Sequence, residues 1–217
     1  MAVHQKLFVC FVLWLLIGAL AVGLAMPLDS RASFAFDVAM NPSSHRLALL
    51  FSKLGEGWVL ALAGIFFTVL FMLLHRPGVA AKIFFIVLTC ELTGLAGVIV
   101  RTLAGRTRPS SYVPQGFYGV WYEGHWTIGK FDFAAFPSGH SATVMGLAAA
   151  AWLVHRGWGA LAALFAIAVM WSRIALQSHH LSDVVAAVVL AIPLAALSKE
   201  WLLPRVEFQF EKLSRKS

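Results

Sequence analysis

From Ser138 to Ser198 the chain reads SGHSATVMGLAAAAWLVHRGWGALAALFAIAVMWSRIALQSHHLSDVVAAVVLAIPLAALS. Three apolar runs stand out: Ser141 to Val154, Gly157 to Trp171 and Val184 to Ser198, of fourteen, fifteen and fifteen residues. At about 1.5 Å per residue each is too short to cross a ~30 Å hydrocarbon core. Full length is reached only by taking in polar residues at one end of each: Ser138 and His140, then Ser172 and Arg173, then His179 and Asp183. These polar groups are therefore expected at headgroup depth, along one edge of the bilayer. Pro193 lies inside the last run, which membrane helices tolerate.

Working outward, Leu7 to Met26 is an uncharged run of twenty residues, long enough to span. Lys6 and the small residues near its end suit a cleaved signal peptide. A signal core is only about 7–15 residues, however, and the run is read as a retained span. Residues 27–56 read as a polar connector. Within it Leu47, Leu50, Phe51 and Leu54 recur at helical spacing, as in an interfacial helix or one packed on a bundle. Gly57 to Leu74 and Ile83 to Val100 complete the set, the latter interrupted only by Glu91, and a long polar and aromatic loop runs from Arg101 to Pro137. The fold expected is all-α: an integral membrane bundle of six transmembrane helices, with the long loop between helices 3 and 4. One domain covers 1–217, its motif-bearing core 57–198, with no internal repeat.

Composition agrees. Hydrophobic residues make up 60% and charged residues 12%, against about 45–50% and about 25% in soluble domains. The net charge of +7 forms no compact basic face and does not point to nucleic acid. Cys10 and Cys90 sit in apolar runs and read as buried hydrophobes. With six spans, Lys6, Arg76, Lys82, Arg156, Lys199, Arg205, Lys212, Arg215 and Lys216 share one side. Arg31, Arg46, Lys53, Arg101, Arg106, Arg108, Lys130 and Arg173 share the other. Setting aside Arg101, Arg108 and Arg173 as anion-binding leaves nine against five, which places both termini in the cytoplasm of a plasma-membrane protein. The tail Lys212 to Lys216 then reads as an anchor to anionic headgroups. The sequence carries no signal for oligomeric state.

Under this topology three clusters share the extracytoplasmic face: Arg101-x6-Arg108-Pro109, Pro137-Ser138-Gly139-His140 and Ser172-Arg173-x5-His179-x3-Asp183. Arg101, Arg108 and Arg173 offer planar donors suited to phosphate oxygens. Gly139, at a helix start, lets backbone N–H approach an anion, and Ser138 donates one more bond. His179 and Asp183 are four apart and expected on one helix face, where the carboxylate would fix the imidazole tautomer. The other ring nitrogen is then free to act as a nucleophile. His140 comes from another helix and is placed to protonate a leaving oxygen. No Asp/Glu/His cluster has metal-ligand spacing, so neither metal nor cofactor is expected.

The constellation resembles the type 2 phosphatidic acid phosphatase family, whose pattern is Lys-x6-Arg-Pro, Pro-Ser-Gly-His and Ser-Arg-x5-His-x3-Asp. The second and third elements match throughout; in the first, Arg101 stands where the family has lysine. The resemblance implies a bundle of six spans and hydrolysis of a phosphomonoester or pyrophosphate of a lipid through a phosphohistidine. It implies His179 as nucleophile, Asp183 as its partner and His140 as general acid, with Arg101, Arg108, Ser138, Gly139 and Arg173 on the phosphate. A lipid phosphate is the implied partner. Alternatives are a vanadate-dependent haloperoxidase-like enzyme, a phosphatase of soluble esters, or a transporter or inert scaffold.

Other residues are read more plainly. His180 should point away from its neighbour His179. Glu91, about 15 Å deeper than Arg101, reads as a helix-packing carboxyl. Lys130 and Asp132 read as solvated or substrate-rim groups. Nine aromatics between Tyr112 and Phe136, Trp121 and Trp126 among them, either meet the membrane–water interface or pack the loop.

Overall fold

The structure, a computed structural model, describes residues 3–214, with side chains from Val9 onward. Arg215 and Lys216 of the basic tail, and the side chain of Lys6, lie outside the described residues. Helix α1 (Val3–Ala25) continues through a short 3-10 turn into α2 (Asp29–Phe36), followed by α3 (Pro42–Leu54), α4 (Gly57–Leu73) and α5 (Pro77–Ala104). A two-stranded hairpin, β1 (Trp121–Tyr122) and β2 (His125–Trp126), rises from the loop after α5. Then come α6 (Gly139–Val154), α7 (Arg156–Ala175), α8 (Leu181–Trp201) and α9 (Leu203–Ser214).

Among the described residues four stretches are long and apolar enough to cross a membrane: Val9–Phe36, Pro77–Ala104, Arg156–Ala175 and Leu181–Trp201. Helices α3 and α4 form a pair bent by 58°, which makes a fifth if taken as one span, and α6 is a shorter apolar helix. The segment expected as a polar connector is therefore largely helical. Its α3 begins at an Asn41 cap, whose side chain accepts from Ser43 and Ser44 N–H, with Pro42 in the first turn. It packs on α7, burying Ala48 beside Val38 and Ala175 and setting Phe51 against Val169. The helix packs on the bundle through Ala48 and Phe51, while Leu47, Leu50 and Leu54 of the same apolar set stay exposed, so features of both readings are present.

Helix α6 is the hub, packed against α5, α7 and α8. Small residues permit this. A Cβ on Gly94 would strike Thr143, and one on Gly146 would strike Thr93. The Thr93 hydroxyl donates to the Ala142 carbonyl, 3.0 Å away across the interface. Close backbone approach with interhelical hydrogen bonds holds helices together in lipid, where burying more Leu gains little. The outer faces carry Leu16, Ile17, Leu20, Leu161 and Leu164, all exposed, as suits a lipid-facing wall. Helix α1 lies on α8, where Trp14 Nε1 donates to the Val189 carbonyl at 2.9 Å.

The polar ends lengthen all three runs, though α6, at 16 residues, remains a shorter apolar helix and α8 does not take in His179. Helix α6 starts at Gly139 with Ser138 as its cap, and α7 extends through Ser172 and Arg173 to Ala175. Helix α8 takes in Asp183 but begins at Leu181, so His179 stands in the turn before it. His179 and Asp183 do not share a helix face as expected. The reason is local: Asp183 is the third residue of α8 and turns back to accept the His180 N–H at 2.7 Å, which caps the helix there.

Candidate active site

The turn that carries His179 hangs from α7. The Arg173 carbonyl accepts both Ser178 N–H and His179 N–H at 3.1 Å. The ring of His179 is buried, and its Nδ1 lies 2.8 Å from the Ala135 carbonyl. A carbonyl can only accept, so Nδ1 carries the proton and Nε2 is the free ring nitrogen. The nearer Asp183 oxygen is 3.7 Å from Nδ1, beyond a hydrogen bond. The tautomer is thus fixed by a backbone carbonyl where the sequence pointed to Asp183.

The three arginines act on the same two histidines. Arg101, Arg108 and Arg173 each bear electrostatically on both His140 and His179, and His179 bears on His140. Burial, with the positive charge of Arg173 and then Arg108, holds the His179 imidazole well below its usual range, against the Ala135 hydrogen bond. Burial and the charges of Arg173 and Arg101 push the Arg108 guanidinium down to about 10. The Nε atoms of Arg108 and Arg173 are buried without a hydrogen-bond partner among the described residues. Neighbouring buried cations with unspent donors are costly unless an anion joins them.

Backbone geometry completes the cradle. A Cβ on Gly139 would lie 3.1 Å from an Arg101 guanidinium nitrogen, so the missing side chain lets Arg101 reach the first turn of α6. Ser138 is fully buried, and its Oγ accepts from the Ser141 hydroxyl at 2.9 Å, leaving its own proton free to donate. The Arg108 guanidinium stacks on the Phe131 ring, 3.7 Å from the centroid. Arg173 is held by the Ser52 hydroxyl at the end of α3 and feels the charge of Glu56. Beside the arginines a cavity of about 400 Å³ is lined by Arg101, Arg108, Lys130, Thr102, Thr127 and Phe131, which puts Lys130 at the rim. Among the described residues no group of three or more His, Cys, Asp or Glu side chains could hold a metal ion.

His180 points away from the cradle. Its Nε2 donates to the Thr107 carbonyl at 3.2 Å, and burial lowers its basicity. Glu91 packs as a helix-contact residue, its Oε2 3.0 Å from where a Gly57 Cβ would be. The loop aromatics divide: Tyr118, Tyr122 and Phe133 pack together, while Tyr112, Trp121, Trp126 and Phe131 are exposed.

Sequence reasoning missed Arg106 and Asp29. Arg106 donates to Asp29 at 2.8 Å, to Asp183 at 2.5 Å and to Ser182 at 2.7 Å, all buried. In the sequence Arg106 reads only as a topogenic charge and Asp29 as part of a polar connector. The available signal was an arginine two residues before Arg108 at the depth of the motifs.

A family model described as PAP2 superfamily matches residues 81–207. Among curated proteins none matches the sequence. Among solved structures, LpxE of Aquifex aeolicus is similar at a TM-score of 0.57 and 20% identity, over 80% of this chain and 96% of that one. So is a transmembrane PAP2-type phosphatidylglycerolphosphate phosphatase from Bacillus subtilis, at 0.57 and 19%, over 89% and 94%.

Proposed function

This chain belongs to the PAP2 superfamily, and on that premise we propose that it is a membrane phosphatase hydrolysing a phosphomonoester or pyrophosphate of a lipid, without metal, through a phosphohistidine on His179. The observation that carries the reading is the Nδ1-protonated His179 among Arg101, Arg108 and Arg173, with the buried Nε donors of Arg108 and Arg173 unspent. The phosphate binds Arg101, Arg108, Arg173, Ser138 and the Gly139 N–H. His179 Nε2 attacks phosphorus, the P–O bond to the lipid breaks, and His140 gives its proton to the leaving oxygen. Water then cleaves the N–P bond, with His140 as base, and releases phosphate. The guanidiniums meet the charge that spreads over the phosphoryl oxygens in transit.

Six spans follow if the α3–α4 pair counts as one crossing and α6 as another, completed by its polar cap. Both termini are then cytoplasmic, and the site faces the extracytoplasmic side of the plasma membrane within a single domain. A lipid suits this placement. An apolar groove of about 640 Å³ between α1 and α8 has Val100, Phe136 and Pro137 at one end, next in sequence to Arg101 and Ser138. The exposed Tyr112, Trp121 and Trp126 suit the membrane–water interface.

The test compares phosphate release from a long-chain phosphatidate and from glucose 6-phosphate in one detergent. We expect kcat/KM to favour the lipid at least ~100-fold, about 2.7 kcal/mol of transition-state binding. Equal rates would remove the lipid from the reading and leave a membrane-bound phosphatase of soluble esters.

A further inference from the structure

Phe131 is an apolar side chain left 63% exposed, so hydrophobic packing does not account for its place. It opens the 3-10 turn Phe131–Phe133 that follows the hairpin. The turn is anchored by Phe133, which is buried with its ring against Tyr118 and Tyr122. The Lys130 N–H donates to the Thr127 carbonyl at 3.0 Å, which fixes the entry to the turn. So mounted, the Phe131 ring centroid lies 3.7 Å from the guanidinium carbon of Arg108.

The backbone of Arg108 is tied to the same turn. Its N–H donates to the Asp132 carbonyl at 3.0 Å, and its carbonyl accepts the Ser111 N–H and the Gln115 amide, both at 3.0 Å. The guanidinium is held differently. Among the described residues it has no hydrogen-bond or ion-pair partner, and its Nε is buried. Other arginines on this face are held by polar groups, Arg106 by Asp29, Ser182 and Asp183, and Arg173 by Ser52. Each such contact uses an N–H that a bound anion could have used.

An aromatic face restrains a guanidinium without that loss. The ring quadrupole attracts the flat face of the cation, while the five N–H donors point outward in its plane. A carboxylate in the same place would occupy those donors and repel a phosphate. The cavity lined by Arg101, Arg108 and Phe131 leaves room for an anion beside them. We propose that Phe131 is a positioning residue for the phosphate cradle: it holds the Arg108 guanidinium by its face and leaves every N–H of that group for the phosphoryl oxygens. The identity of the anion rests on the phosphatase reading, but anion binding can be measured without turnover.

The experiment measures orthovanadate binding to the purified full chain in detergent by isothermal titration calorimetry, beside phosphate release from a phosphatidate. Phe131→Leu keeps an apolar side chain and removes the ring. Its Kd for vanadate should rise about tenfold, equivalent to about 1.4 kcal/mol and within the range of cation–π contacts. Phe131→Tyr should stay within about twofold of wild type. A ring-fluorinated phenylalanine at the same position keeps the shape but drains the negative face, and should behave as Phe131→Leu does. In an Arg108→Gln background Phe131→Leu should cost less than about twofold. Unchanged vanadate affinity in Phe131→Leu or in the fluorinated protein, or an equal loss in the Arg108→Gln background, would overturn the inference. Should Phe131→Leu not fold, Phe131→Met carries the same expectation and the same refutation. Vanadate affinities that respond as expected, in a protein that releases phosphate from no lipid, would sink the proposed function and leave this inference standing. Wild-type protein that binds no vanadate would overturn both.

Discussion

Gly139→Ala isolates the phosphate cradle from the fold. The new Cβ would sit 3.1 Å from the Arg101 guanidinium nitrogen, where ordinary contact is about 3.5 Å. The difference means Arg101 withdraws by about 0.4 Å, since the backbone of α6 is held by its packing and the arginine tip is free to move. A hydrogen bond to a charged group contributes about 1.5–3 kcal/mol. Losing roughly half of it in the transition state amounts to about 1.4 kcal/mol, a tenfold fall in kcat/KM. Stability should not fall, because alanine is the better helix former by up to ~1 kcal/mol. The assay is phosphate release from a phosphatidate in detergent, beside thermal unfolding of the same preparations. In an Arg101→Lys background the slimmer amine avoids the contact, so Gly139→Ala should cost less there, a non-additive cycle. Wild-type kcat/KM in Gly139→Ala, or an equal loss in both backgrounds, would refute the claim that Gly139 exists to admit Arg101.

Two further outcomes bear on the same cradle. Activity should survive EDTA and be lost to vanadate at low concentration, because the anion site is built from guanidiniums; loss in chelator restored by magnesium would contradict it. Arg101→Lys should keep substantial activity and Arg101→Ala lose most of it, measured as kcat/KM on one lipid, whereas equal loss would assign Arg101 a bidentate role.

The membrane-embedded helical class was legible because apolar run length is set by bilayer thickness. The shortness of the runs before Val154, Trp171 and Ser198 also placed Ser138, Ser172, Arg173 and Asp183 at helix ends. What stayed hidden depended on tertiary contact. The break at Gly55 and Glu56 bends α3 against α4, and no local signal distinguished that pair from a connector followed by a span. The i+4 spacing of His179 and Asp183 suggested a direct pair, but a helix cap drew Asp183 back to His180 and left His179 to the Ala135 carbonyl. That carbonyl is invisible to sequence reasoning, since a backbone acceptor has no residue type. Arg106 and Asp29 are 77 residues apart and their pairing needs the folded bundle.

The central claim is that a phosphoryl group passes through His179 Nε2. Acid-labile label should appear on His179 when the purified protein is mixed with a lipid carrying a radiolabelled phosphate and quenched in alkali, and it should be absent from His179→Ala, which should fold yet show no turnover. Label recovered on another residue, or near-normal phosphate release by His179→Ala, would contradict the account.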